Sequence, residues 1–365
     1  MWNFLLFVGL LATPPGPPST PCFGAWTDQA LPAELEWASD LRRTDQSEPF
    51  LWLSPTGLWQ SSAEATKPSL IAGRGTSRNE LFVPTSLASS AGRTVVGSAA
   101  YSFSEIDVGK KTLRESYVFW SLVDLDLRQG KIALFGAQRS ADDQYAADGA
   151  LAFWGPLGSP VESLRPLYFS EQGPGAEAFA KCSLLEISHL RFLDDGSLVL
   201  VPGVEAGVFF YRPDGQLARS FSAAEVGFES GCGLDAAAAR KLALDEPARW
   251  AWVNQRRVVD DIVPLTGGAA LLLRQVQAGR PSWQLKLLRL DGSIRTCDLP
   301  IATRDPLARL KADSQGEVVH FLLSHRGYAP YPSWQIDQLT GARQDFPAKL
   351  HPDEPARWLS ARYLP

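Results

Sequence analysis

The chain has 365 residues, of which 45% are hydrophobic and 21% are charged, so it can bury a large core. Its 35 basic and 40 acidic side chains leave a formal charge of −5. With the two signs mixed along the chain, this charge gives no electrostatic footprint for DNA or RNA, and we expect no nucleic-acid partner. None of the four cysteines lies in a CxxC pair, which excludes the common zinc and redox motifs.

The first 25 residues contain an apolar run from Phe4 to Ala12 and then a proline-rich break. The run is too short to span a bilayer and is typical of a signal-peptide core, although no Lys or Arg precedes it. We therefore expect residues 1–25 to be a signal peptide or a disordered segment, and the protein to be secreted or periplasmic. A misassigned start codon and an apolar tail packed on the domain are the alternatives. No other stretch is long enough for a transmembrane segment in the mature chain.

The cysteines bear on whether the protein is exported. Cleavage near Gly24 or Ala25 would remove Cys22 and leave an odd number. Cys182 and Cys232 lie in links between repeated units and would form a disulfide in an exported protein. Ordinary buried thiols are the alternative.

The strongest local pattern lies between His189 and Phe221. Two short apolar runs meet at Asp195-Gly196, and two more meet at Asp214-Gly215. Asp-Gly between β-rich runs is a strong hairpin signal, because the turn needs positive φ angles that Gly adopts freely. This stretch therefore predicts a four-stranded antiparallel meander.

Weaker copies of this meander recur along the chain. Pro281–Gln284 (PSWQ) returns at Pro332–Gln335, which supports a period of about 50 residues. The turn glycines of the copies are Gly57, Gly92, Gly109, Gly130, Gly158, Gly267, Gly268, Gly292, Gly316 and Gly341. We predict an all-β propeller of four-stranded antiparallel blades over residues 26–365, with six blades favoured and five or seven still open. The C-terminal strand is expected to join the N-terminal blade and so close the ring.

One segment breaks the β pattern. Residues 222–257 contain Leu234-Asp235 followed by an Ala-rich run, which predicts a short capped helix inserted between two blades. At its end stands the hexapeptide DEPARW, residues 245–250, which recurs at residues 353–358. Each copy is expected to follow an outermost strand, lead toward the next innermost one and act as a structural latch.

The arrangement of apolar strands, Asp-Gly turns and aromatic-rich strands resembles the six-bladed propellers of the NHL-repeat kind, clearly from Val123 onward. The resemblance implies an architecture and no single activity, since such propellers include binding scaffolds, lactonases, other hydrolases and sugar dehydrogenases.

Tight turns should cluster on one face of the propeller and long loops on the other, where function is expected. Aromatic rings beside Arg suit a protein, peptide or carbohydrate ligand. The predicted ligand-binding residues in these loops are Tyr145, Arg280, Trp283, His325, Arg326, Tyr328 and Tyr331. For Trp283, packing between blades is the alternative. We find no catalytic set, so an exported, non-catalytic binding module is the favoured function.

Asp124 and Asp126 alternate along a predicted innermost strand and would face the central channel, where paired carboxylates could bind Ca²⁺ or Mg²⁺. This predicts the main alternative, a metal-dependent hydrolase or lactonase, with Asn254 near the channel mouth. The simpler interpretation is that these acids are part of the solvated wall of the channel. A quinone-dependent sugar dehydrogenase would need a basic His with Arg, for which His189 and Arg191 are the one pair available.

Overall fold

The fold is that of a computed structural model. It describes residues 22–44, 50–62, 67–75, 77, 79–82, 84–98, 102–117, 120–138, 150–160, 163–169, 182, 188–203, 207–229, 231–325, 334–336, 343–345 and 356–364. All structural statements below concern these residues.

Six four-stranded antiparallel sheets form the blades of a propeller, and five of them follow the chain without interruption. Blade 1 contains β2 (Asp40–Arg43), β3 (Phe50–Ser54), β4 (Gly57–Ser61) and β5 (Ser69–Gly73). Blade 2 contains β6 (Pro84–Ser90), β7 (Arg93–Ser98), β8 (Ser102–Asp107) and β9 (Thr112–Tyr117). Blade 3 contains β10 (Trp120–Arg128), β11 (Lys131–Gln138), β12 (Ala150–Pro156) and β13 (Arg165–Phe169).

Blade 4 contains β14 (His189–Phe192), β15 (Leu198–Val201), β16 (Gly207–Tyr211) and β17 (Leu217–Ser222). Blade 5 contains β18 (Val258–Leu265), β19 (Gly268–Gln277), β20 (Arg280–Arg289) and β21 (Ile294–Asp298). The first strand of each blade contacts the first strand of the next, and β22 of blade 6 contacts β2 of blade 1. The innermost strands therefore form a closed ring of six, as the repeat predicts.

Blade 6 closes the ring by combining both ends of the chain. It contains β22 (Arg309–Gln315), β23 (Val318–Ser324), β26 (Arg357–Tyr363) and β1 (Phe23–Ala30). The expectation that the C-terminal strand joins the N-terminal blade is wrong: β26 is the third strand of the last blade, and β1 pairs with it as the outermost strand. The ring is nevertheless closed without an open sheet edge at β26, as expected, because β1 covers that edge.

β1 also changes the expected boundary near residue 25. Residues 23–25 belong to this strand, and Cys22 lies beside Cys297 of blade 5 as a disulfide with 5.9 Å between the Cα atoms. The propeller therefore begins at or before residue 22.

Each pair of neighbouring blades shares one apolar cluster, so the core consists of six wedges around the ring. Large aromatic side chains fill several of them. Trp154 of blade 3 stacks on Phe192 of blade 4 at 6.4 Å between ring centroids, and Trp52 of blade 1 packs edge-on against Trp358 of blade 6 at 5.4 Å. Flat rings suit these narrow wedges because one side chain contacts both sheets.

The insertion between blades 4 and 5 is helical, as predicted, and contains three helices. They are α1 (Ala223–Val226), α2 (Ala236–Leu244) and α3 (Glu246–Asn254). Asp235 caps α2 by accepting the Ala238 N–H at 2.7 Å. Asp245 caps α3 in the same way. A disulfide between Cys182 and Cys232 links this insertion to the segment before blade 4, as the sequence allowed.

The two copies of DEPARW fold differently, so the common latch is wrong. In the first copy Asp245 is the N-cap of α3 and the remaining residues are helical. In the second copy Arg357 and Trp358 begin β26, which is a third strand and not an innermost one. Both tryptophans are buried, which is the property the copies share. The burial partners differ, and those contacts decide the local conformation.

The PSWQ repeat also occupies two different environments. Trp283 lies in the third strand of blade 5, whereas the second copy leads into a separate hairpin made of β24 (Trp334–Ile336) and β25 (Arg343–Asp345). The prediction that this stretch supplies strands of the last blade is wrong, because β26 and β1 take those places. Within the described ranges, no helix has the length and apolar character needed to cross a bilayer.

Candidate functional site

The two faces of the ring follow from the direction of the innermost strands. Asp124 and Asp126 of β10 accept N–H groups from Leu190 and Phe192 of β14, so both strands run the same way. We call the face at which the innermost strands begin the long-loop face. It receives the link before each blade, including the three helices between Ser222 and Val258. Loops on a rigid scaffold are where binding groups are usually presented.

Two blades depart from the expected division of tight and long connections. In blade 1 the tight turn at Gly57 joins the second and third strands, and the longer link joins β2 to β3. In blade 5 the predicted loop between Arg274 and Trp283 is a continuous hairpin, in which Ala278 and Gly279 form the turn. Arg280 lies exposed at the tip of this hairpin, on the long-loop face.

Carboxylates on the innermost strands hold adjacent blades together. Each accepts a backbone N–H from the innermost strand of the next blade. The pairs are Asp40 with Leu87 (3.2 Å), Asp124 with Leu190 (3.1 Å), Asp126 with Phe192 (2.7 Å), Asp260 with Leu310 (3.1 Å), Asp261 with Ala312 (3.0 Å) and Asp313 with Arg43 (2.8 Å). These acids are therefore part of the ring's construction.

Asp124 and Asp126, the predicted metal pair, are both buried among these contacts. Asp124 also accepts the Leu125 N–H with its other oxygen. In the part of the chain that the structure describes, no three His, Cys, Asp or Glu side chains are grouped so as to bind a metal ion. The Ca²⁺ or Mg²⁺ site stays a prediction. Burial raises the pKa of Asp126 to about 7, although Arg42 and the Phe192 N–H act to lower it.

Cationic side chains lie between these acids in the channel. Arg42 pairs with Asp40 at 2.9 Å, and Arg191 pairs with Asp261 at 3.0 Å. Burial opposes the charge of Arg42, but the surrounding carboxylates, with Asp40 foremost, raise its pKa above its usual value. The channel therefore contains a network in which guanidinium groups lie beside carboxyl groups.

His189 and Arg191, the pair considered for a sugar dehydrogenase, both belong to this network. His189 bonds the Val259 carbonyl oxygen through Nε2 at 3.0 Å, and its Nδ1 lies 3.6 Å from Asp124. Arg191 also donates to the Leu190 carbonyl oxygen. Both side chains thus join blade 4 to its two neighbours.

A second polar group lies on the long-loop face, where blades 5 and 6 meet. His325 follows β23, is 3% exposed, and bonds Asp305 through Nδ1 at 2.8 Å. Arg274 of β19 donates from Nη2 to Asn254, at the end of α3, over 2.7 Å. Arg309, at the start of β22, pairs with Asp260 at 2.5 Å. We call these residues, together with Trp250, the blade 5–6 cluster.

The other predicted ligand-binding residues divide into two groups. Trp283 is 2% exposed and donates from Nε1 to Asp260 at 2.8 Å, so it packs between blades and does not reach a surface ligand. Four further predictions lie outside the described residues. They are Tyr145, Arg326, Tyr328 and Tyr331.

Sequence reasoning did not select Asp305 or Trp250 as site residues. Trp250 stands in the first DEPARW copy, for which a structural latch is expected, and Asp305 opens a similar segment, DPLARL, at residues 305–310. That segment leads directly into innermost strand β22, which is the signal that could have selected Asp305.

Comparison with known proteins does not identify a family. No protein-family model and no curated protein matches the sequence. Among solved structures, the WD40 repeats of RRP9 are similar with a TM-score of 0.49 at 12% identity, over 92% of this chain and 97% of that chain. Virginiamycin B lyase from Staphylococcus aureus is similar with a TM-score of 0.42 at 10% identity, over 93% of this chain and 99% of that chain. At such values no activity is transferred, and the propeller fold rests on the strand order described above.

Proposed function

We propose that this chain is an exported β-propeller that binds a partner through its long-loop face and catalyses no reaction. The observation that carries the proposal is the use of the channel carboxylates. Each of them accepts a backbone N–H from the adjacent blade, so they act in building the ring. The long-loop face has the helical insertion and the exposed hairpin tip at Arg280, which are groups suited to contact a partner.

Export is supported by the cysteines. The Cys22–Cys297 pair joins positions 275 residues apart, and the Cys182–Cys232 pair joins positions 50 residues apart. Such bonds persist in oxidising compartments and are rare in the cytosol. A signal peptide fits this proposal if cleavage precedes Cys22, because β1 and its disulfide belong to the propeller. Trapping of free thiols in protein from its native host tests it: four protected cysteines support export, and four free thiols reject it.

The partner we propose is a protein, a peptide or a carbohydrate. Arg280 is the exposed cation at the tip of the β19–β20 hairpin on the long-loop face. Arg289 lies at the opposite end of the same strand, and is likewise exposed on the tight-turn face. The two residues therefore share their residue type, strand and exposure, and they lie on opposite faces of the ring.

This pair gives a direct test. The full chain is labelled and applied to a peptide array and a glycan array, and the strongest binder is titrated against Arg280→Glu and Arg289→Glu. We expect Arg280→Glu to weaken binding by about tenfold, as for loss of one well-placed interface charge, and Arg289→Glu to leave it unchanged. An equal effect of both variants, or a larger effect of Arg289→Glu, would reject the long-loop face as the binding face.

A further inference from the structure

Two cationic side chains face one open space beside Gly227. This glycine ends α1 with a φ of +91°, which residues with a Cβ rarely adopt. A Cβ built there would have Arg257 Nη1 at 3.7 Å, and Lys286 Cε and Nζ at 3.9 Å, as its nearest atoms outside the adjoining residues. These are ordinary contact distances, so a methyl-sized group fits without any shift. All three residues are half-buried, so solvent reaches this space, which we call the Gly227 notch.

The local structure directs both cations to the notch. Lys286 and Leu288 lie two residues apart on β20 and so project from the same side of blade 5. Leu288 packs in the apolar cluster shared by blades 4 and 5, so this side of the sheet faces blade 4. Arg257 immediately precedes β18, and its carbonyl oxygen accepts the Glu229 N–H at 3.2 Å. That bond joins the end of the helical insertion to the chain just after Gly227.

Neither cation has a carboxylate partner in the part of the chain that the structure describes. Arg257 donates from Nη2 to the Gln284 side-chain oxygen, and Lys286 donates from Nζ to Thr296 Oγ1 at 2.8 Å. Both acceptors are neutral. Asp298 is the carboxylate beside them, and its Oδ1 accepts from Gln284 Nε2 at 2.7 Å. The two cations are therefore held in place by neutral groups.

Arg257 also acts on Lys286 as a like charge. Burial lowers the pKa of Lys286, and Arg257 lowers it further, against the opposing effect of Asp298. A guanidinium keeps its proton at every physiological pH, so this repulsion is present whenever Lys286 is charged. An anion placed between the two groups would replace the repulsion by two attractions.

We propose that Arg257 and Lys286 bind one oxyanion, of the phosphate or carboxylate type, in the Gly227 notch. Guanidinium and ammonium groups both form strong, charge-assisted hydrogen bonds with such oxygens. The notch lies where the helical insertion leaves blade 4, so the inference rests on the proposed function in taking the long-loop face to be where ligands enter. It adds the chemistry of the ligand group, which is an anionic oxygen.

The first test uses the anions alone with the full chain. Sodium phosphate and sodium acetate are titrated by calorimetry and in thermal unfolding at pH 7, far below the ordinary lysine pKa of 10.5. Sodium chloride at the same ionic strength is the reference, because it separates binding from screening. We expect saturable binding of at least one of the two anions and a rise in unfolding temperature that chloride does not produce. The tighter anion distinguishes a phosphate source from a carboxylate source. Absence of binding by both anions in the millimolar range overturns the proposal.

A pair of glycine variants tests the place of binding. Gly227→Ala puts a methyl group into the notch and should weaken anion binding by about tenfold. Gly231→Ala is the matched control, since Gly231 belongs to the same insertion and has a φ of +93°, but a Cβ there would meet nothing within 4 Å. Both variants carry the same backbone strain, and only the first fills the notch. Equal losses of anion affinity would contradict the assignment.

A pair of charge variants decides the matter if Gly227→Ala fails to fold. Lys286→Gln keeps a donor toward Thr296 and removes the charge, and should weaken anion binding by about tenfold. Arg289→Gln removes a cation from the tight-turn end of the same strand and should leave binding unchanged. An unchanged affinity in Lys286→Gln would reject the site.

These measurements use no macromolecular partner, so failure here leaves the array result intact. Conversely, failure of both arrays leaves anion binding as an independent finding.

Discussion

Acid should weaken the contact between blades 6 and 1 through His320. This side chain is 8% exposed on β23 and packs against Phe50 at 4.8 Å and Trp358 at 5.7 Å between ring centroids. Both its ring nitrogens lack hydrogen-bond partners. Burial, and to a lesser degree the charge of Arg43, lowers the pKa of His320 from 6.5 to about 4.

The sign follows from proton binding. Between pH 6.5 and pH 4 the unfolded chain protonates this His and the folded chain does not, so stability falls as the pH falls through that window. The gap between 6.5 and about 4 corresponds to about 3 kcal/mol, at about 1.4 kcal/mol per pH unit. His320→Leu should keep the apolar packing and remove this dependence.

Urea unfolding of the wild type and of His320→Leu at steps from pH 4 to pH 7.5 measures the effect. We expect the difference in free energy of unfolding between the two proteins to shift by about 3 kcal/mol in favour of the variant as the pH is lowered. Phe50→Leu is the control, since it disturbs the same cluster without a titrating group and should cost a pH-independent amount. A constant difference for His320→Leu across the pH range would refute the reasoning.

Three other outcomes are expected. Asp126→Asn should remove a pH dependence of opposite sign, because the pKa of Asp126 is about 7 in the folded protein and 3.8 in the unfolded chain. The wild type should lose about 4 kcal/mol of stability as the pH rises through that interval, and urea unfolding of both proteins at pH 4 and pH 8 measures this loss. Gly215→Ala should lower the stability by about 2–3 kcal/mol, since φ of Gly215 is +84° and a Cβ there would lie 2.9 Å from the Trp154 ring. Gly130→Ala, at φ +74° with open space around the Cβ, should lower it by about 1 kcal/mol. Calorimetric unfolding measures both, and equal losses would count against the packing argument. Cys22→Ser should lower stability by about 3 kcal/mol through loss of a cross-link over 275 residues, and a wild type insensitive to dithiothreitol in thermal unfolding would contradict this.

Much of the fold could be predicted from the sequence because the turn signals are local. Gly196 and Gly215 adopt positive φ angles in the tight turns of blade 4, which the Asp-Gly pairs indicate directly. Ring closure could not be predicted in detail, because the pairing of β1 with β26 depends on contacts between the chain ends and leaves no local pattern. The two DEPARW copies show the same limit: one hexapeptide enters a helix and a strand in different surroundings.

The candidate site could be predicted only in part. His325 was selected from its loop, and the structure brings it to Asp305 in the same cluster as Arg274. Asp124 and Asp126 were correctly placed on an innermost strand, but side-chain spacing cannot reveal that their oxygens accept N–H groups from the next blade. That use depends on the packing of one blade against another, which no stretch of sequence encodes alone.

The central claim is that the channel carboxylates build the ring and that binding occurs elsewhere. A Ca²⁺ titration of the full chain, followed by thermal unfolding and by calorimetry, tests it most directly, with Mg²⁺ as a second ion and Asp124→Asn as the comparison. The account predicts no saturable binding of either ion and a lower unfolding temperature for the variant with or without metal. A rise in the unfolding temperature of the wild type on adding Ca²⁺, lost in Asp124→Asn, would contradict it and favour the metal-dependent enzyme.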